Sequence, residues 1–148
     1  MNKSIKYGLL TGAALIVYFL LMKLAGLEGN FALRFVNFFI LISGCYLLLR
    51  SIYSGKNADG SYFSGLVAGV VLSVTAVITF TAFMALYVLA IDPEFMKILE
   101  NSQIWGNHLE LEQAAFAIII EGMASGVVIT YSLMQYFKRF INDGVKRA

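Results

Sequence analysis

Glu121 is the residue whose type and position most suggest chemistry in this sequence. From Phe116 to Thr130 it is the only charged residue. A charge at the centre of a membrane helix costs roughly 2.5 to 3.5 kcal/mol on insertion scales, so such a residue is expected to be paired, protonated or functional. The chemistry open to it is exchange of a proton or binding of a cation.

Two polar residues of another apolar stretch are candidate partners for Glu121. Arg34 and Asn37 share one helix face with Leu41 and Gly44. Counted by the helical rise from the outer ends of the predicted spans, Glu121 lies about 10 Å deep, Arg34 about 5 Å and Asn37 about 9 Å. One hypothesis is a buried Arg34–Glu121 ion pair to which Asn37 adds hydrogen bonds. The other is a proton- or cation-binding site in an outward-facing cavity.

Other chemistry has little support in the sequence. His108, Glu110 and Glu112 have the composition of a metal site, but their alternate spacing suits a strand and they precede a helix. Cys45 is the only cysteine, which excludes an intrachain disulfide. No Cys-His or Ser-His-Asp arrangement and no G-x-x-x-x-G-K-[ST] loop is visible. We predict a protein that is not an enzyme and has no metal or cofactor.

The elements that must position these residues are apolar. Of 148 residues, 59% are hydrophobic and 14% are charged, against about 45 to 50% and about 25% in soluble domains. Four stretches approach the roughly 20 residues that cross a bilayer as a helix. They cover residues 7–24, 31–49, 63–91 and 114–137. We predict one all-α domain, a four-helix transmembrane bundle.

The distribution of Lys and Arg predicts the orientation of this bundle. Three of the 11 basic residues, Lys23, Arg34 and Lys97, fall on the side opposite the termini. The side that holds both termini has the others, which are Lys3, Lys6, Arg50, Lys56, Lys138, Arg139, Lys146 and Arg147. Because an excess of basic residues marks the cytoplasmic side, both termini are predicted to be cytoplasmic. The net charge of +2 is too small to indicate nucleic-acid binding.

The connection between the third and fourth spans is the only long one. It opens with Asp92, Pro93 and Glu94, which are typical of a helix start. Apolar residues follow at near-helical spacing, namely Phe95, Ile98, Leu99 and Trp105. We predict a short amphipathic helix on the outer membrane surface, either a connector that shields its apolar face or a lid or docking surface.

Three pairs of glycines four residues apart predict close helix packing. They are Gly8 and Gly12, Gly65 and Gly69, and Gly122 and Gly126. Small residues at this spacing let helix backbones approach closely in lipid. The pairs favour packing within the bundle, with homo-oligomerisation as the alternative.

The fourth span also carries a stripe of mostly small and polar residues, spaced three or four apart. Its members are Ala114, Ala117, Glu121, Ser125, Val128, Ser132 and Gln135. We expect this face to point into the bundle, where Glu121 would meet its partners.

Several of these features occur together in one small four-span chain. They are Gly8 and Gly12 in the first span, Tyr62, Phe63, Gly65 and Gly69 at the entry to the third, and Asp92, Pro93 and Glu94 after it. The combination resembles the domain-of-unknown-function 4199 family of bacterial membrane proteins over most of the chain. This resemblance implies four helices in a bacterial inner membrane and no assigned activity.

Two main functional hypotheses follow. The first is a non-enzymatic membrane component, a scaffold or accessory subunit that contacts the lipid bilayer and either a second copy or another membrane protein. It is favoured by the glycine pairs and by the lack of catalytic motifs. The second is a small proton- or cation-coupled transporter or channel that uses Glu121. A lipid- or ligand-binding bundle is a third alternative.

Overall fold

The computed structural model describes residues 2–26, 35–53, 61–90 and 111–145. Nearly all of them belong to four helices, which are α1 (Lys3–Leu24), α2 (Phe35–Tyr53), α3 (Tyr62–Ala90) and α4 (Leu111–Val145). No strand occurs within these ranges. Each helix contains a stretch long and apolar enough to cross a membrane. The predicted all-α fold with four potential membrane spans is confirmed.

Several predictions concern residues outside the described ranges. Arg34 is one of them, and the amphipathic helix expected after Asp92 is another. The side chains of His108, Glu110 and Glu112 also fall outside the described part of the chain. The cytoplasmic placement of the termini stays a prediction.

Backbone chemistry explains why every described element is a helix. A chain that crosses hydrocarbon has to satisfy its amide and carbonyl groups internally, and an α-helix does so within one segment. The first helix ends at Leu24, and Gly26 follows it with a left-handed φ of 66°. The Gly26 amide donates to the carbonyl oxygen of Lys23 at 2.9 Å, which closes the last turn.

The third helix is the centre of the bundle. It forms the two most extensive interfaces, one with α1 and one with α4. The second helix contacts α1, α4 and also α3. The largest core cluster lies where α2, α3 and α4 meet. Its buried members are Leu41, Cys45, Leu48, Leu72, Ala76 and Ile129.

Candidate functional site

Four contacts spaced four residues apart on both helices join α3 to α4, and we call them the α3–α4 seam. They pair Gly65 with Met134, Gly69 with Thr130, Ser73 with Gly126, and Val77 with Gly122. Residue numbers fall on α4 as they rise on α3, so the helices are antiparallel. A Cβ atom added at Gly69 or Gly126 would collide with the facing side chain. Each of the four contacts of the seam therefore depends on a glycine.

The glycines of α1 make a similar contact with α3. A Cβ at Gly8 would lie 2.7 Å from the Cβ of Thr75 and 2.9 Å from the carbonyl oxygen of Leu72. A Cβ at Gly12 would lie 3.0 Å from the Cβ of Thr79. Residue numbers rise together here, so α1 and α3 are parallel neighbours. All six glycines of the predicted pairs lie at contacts between helices of this chain.

A polar cluster is buried where α2, α3 and α4 meet. The Sγ atom of Cys45 lies 3.7 Å from the Oγ of Ser73 and 3.9 Å from the Oγ1 of Thr130. The Ser73 hydroxyl also donates to the carbonyl oxygen of Gly69 at 3.0 Å. These side chains are almost completely buried. Sequence analysis missed the cluster because its members are distant in sequence, and Cys45 and Thr130 are 85 positions apart.

The structure places Glu121 on the outward surface of α4. Its side chain is exposed, as are those of Ser132 and Gln135, and Val128 is 60% exposed. The expectation that this stripe points into the bundle is therefore wrong for these four residues, whereas Ala117 and Ser125 are half-buried. The interior side of α4 is the side that packs against α3, and that close contact requires glycine. It is formed by Gly122, Gly126, Ile129, Thr130 and Met134.

Asn37 and Glu121 have different surroundings. Its Oδ1 atom is buried on α2 and has no hydrogen-bond partner among the described residues, and the same holds for the hydroxyl of Thr81 on α3. In the part of the chain that the structure describes, Asn37 thus holds a buried oxygen atom, whereas the Glu121 side chain is exposed. Because Arg34 lies outside that part, the Arg34–Glu121 pair stays a prediction.

A groove of about 300 Å³ separates α1 from α2. Two hydroxyl groups of its lining donate within their own helices, Thr11 to the carbonyl oxygen of Tyr7 at 2.8 Å and Ser43 to the carbonyl oxygen of Phe39 at 2.9 Å. The rest of its lining consists of the hydrocarbon side chains of Leu10, Ala14, Ile40 and Leu47, together with Tyr7, Phe39 and Gly44. The groove surface is therefore mostly apolar, and the Thr11 and Ser43 hydroxyls already donate their hydrogen atoms within their own helices.

Comparison with known proteins gives one match. A family model described as a protein of unknown function (DUF4199) matches residues 6–142. No curated protein and no solved structure matches the chain. The matched region includes every residue of the α3–α4 seam and Glu121.

Proposed function

Because this chain belongs to the DUF4199 family of proteins of unknown function, as its sequence pattern predicted, we propose its role from its own geometry. We propose that it is a non-enzymatic component of a bacterial inner membrane, a scaffold or accessory subunit that binds another membrane protein. Four helices able to cross a membrane support the multi-pass character of this component.

The observation that carries the proposal is the closed α3–α4 seam. Its contacts recur every four residues, and van der Waals packing of this kind is a main source of helix association in lipid. Alternating access requires one group of helices to rock against another. Such a movement between α3 and α4 would have to separate all four contacts, so the seam favours a bundle of fixed shape.

The exposed position of Glu121 supports a scaffold rather than a transporter. The transporter hypothesis needed this carboxylate to face a cavity inside the bundle. Glu121 is instead exposed on α4 and is not one of the residues that contact α3 in the seam. A carboxylate at that place supports a lateral contact with another protein, because polar groups on membrane helices commonly bond across helix interfaces.

Flux measurements on reconstituted protein test this proposal. Lipid vesicles containing a trapped dye sensitive to protons, sodium or potassium would hold the wild-type chain, the Glu121→Gln variant or no protein. We expect the same slow response to imposed proton, sodium and potassium gradients in all three. An ionophore added at the end of each trace checks that the dye reports flux. A proton or cation flux that is present in the wild type and reduced in Glu121→Gln would contradict the proposal.

A further inference from the structure

We propose that the outward face of α4 binds a transmembrane helix of another protein, and that this helix carries a lysine or arginine at the depth of Glu121. The inference rests on the proposed function, which requires a membrane-protein partner. We call the face the α4 stripe. It consists of Ala117, Glu121, Ala124, Val128, Ser132 and Gln135.

The spacing of the α4 stripe suits a helix–helix contact. Its residues follow one another at three- or four-residue intervals, so they share one face, and from Glu121 onward all five are exposed. Alanine and serine at such positions allow a second helix to approach closely. The span of α4 also has the smallest buried share of the four, 17% against 22% to 33%. A larger share of the α4 span is therefore accessible to a partner than of any other span.

The exposed face of α1 shows what a lipid-facing surface looks like in this chain. It consists of large and small hydrocarbon side chains, namely Leu9, Leu10, Ala13, Val17, Leu20 and Leu21. The α4 stripe differs because it carries a carboxylate, a hydroxyl and an amide. Polar residues of this kind are expensive in lipid and are normally turned toward protein.

Two of the three polar groups already have partners. The Ser132 hydroxyl donates to the carbonyl oxygen of Val128 at 2.8 Å, and the Gln135 amide donates to the hydroxyl of Tyr62 at 3.1 Å. Glu121 is the third, and its carboxylate is exposed in the described part of the chain. It lies six residues, or about 9 Å, from the start of the span Ala115–Lys138. A partner would have to present its cation at that depth.

The charge of Glu121 favours a helix of another protein over a second copy of this chain as the partner. If two copies met in parallel along the α4 stripe, Glu121 of each would face the same residue of the other, and like charges disfavour that contact. A lysine or arginine on the partner would instead neutralise the carboxylate and hydrogen-bond to it. The structure therefore points to a cationic transmembrane helix.

Energy transfer in vesicles of phosphatidylcholine tests the inference. The full chain would carry a donor at its N-terminus. The acceptor would be on a model helix of leucine and alanine with one lysine about 9 Å from the matching end. We expect this helix to bind about tenfold more tightly than the same helix with leucine in place of lysine. The Glu121→Gln variant should lose that difference.

A second variant separates packing from charge. Ala124→Leu keeps Glu121 but fills the surface beside it, so we expect it to weaken binding of the lysine helix. The matched control is Ala82→Leu, because Ala82 is an exposed alanine on α3. This control should bind like the wild type.

Three outcomes would overturn the inference. The first is equal binding of the lysine helix by the wild type and Glu121→Gln. The second is tighter self-association of labelled wild-type chains than binding of the lysine helix. The third is binding that appears only after Arg34→Gln, which would assign Glu121 to Arg34 of its own chain. None of these affects the flux experiment, so failure here leaves the non-transporting role to be judged separately.

Discussion

The α3–α4 seam and the α1–α2 groove are both contacts between helices that follow one another in the chain, yet they pack differently. The seam has a glycine at each of its four contacts. Between α1 and α2, Gly44 makes a close contact of the same glycine type with Thr11. A groove of about 300 Å³ lies beside this contact. Both pairs of helices are strongly apolar. Apolar character places helices in a membrane, and the size of the facing residues determines how closely they pack.

Gly126→Leu should have the largest effect, because it breaks the seam at its centre. Even a Cβ at this position collides with the Cβ and hydroxyl of Ser73. Overpacking a close contact typically costs 1 to 3 kcal/mol and occasionally more, and we expect about 3 kcal/mol here. The free energy of unfolding is measured in mixed micelles, with the loss of the helical circular dichroism signal used to monitor unfolding.

The neighbouring substitution Val127→Leu is the matched control for that prediction. Val127 is 49% exposed on α4, so a larger side chain meets no fixed neighbour. Its free energy of unfolding should stay within about 0.5 kcal/mol of the wild type. If Gly126→Leu were equally mild, the seam would not be what holds α3 against α4.

The sequence predicted where helices pack closely better than it predicted which surfaces face inward. The four-residue spacing of Gly65 and Gly69 indicates a close contact whatever the partner helix is. Spacing alone did not show that this pair faces α4 while Gly8 and Gly12 face α3. That pairing depends on the three-dimensional arrangement of helices that are distant in sequence.

The polar stripe predicted on the fourth span, which includes Glu121, shows why the direction in which a helix face points was harder to predict. In a soluble protein a polar helix face points to water, so its direction follows from its composition. In a membrane both the lipid and the bundle interior are apolar, so composition identifies a distinct face without fixing its direction. Glu121 lies next to Gly122 in sequence, but only the glycine is on the side that packs against α3. Once glycine occupies the interior side, the polar stripe falls on the outside.

A comparison of Gly69→Ala with Gly44→Ala should sharpen the contrast between the seam and the groove. Both substitutions place a Cβ against a threonine, Thr130 for Gly69 and Thr11 for Gly44. Beside Gly44 the groove leaves room for α1 to shift. We expect a loss of about 2 kcal/mol for Gly69→Ala and about 1 kcal/mol for Gly44→Ala, measured by the same micelle unfolding. Equal losses would show that the groove gives α1 no freedom to adjust.

Ala14→Leu should have the smallest effect, and it probes the groove directly. Ala14 lines the groove and is exposed, so a leucine there can extend toward α2. The matched control is Ala13→Leu, because Ala13 is exposed on α1 and does not line the groove. Lipid tails are as apolar as leucine, so burial from lipid adds little and only new contacts with α2 can stabilise the protein. We expect Ala14→Leu to be about 0.5 kcal/mol more stable than Ala13→Leu in the same unfolding measurement. A loss above about 1 kcal/mol for Ala14→Leu would mean that α1 and α2 meet as closely as the helices of the seam.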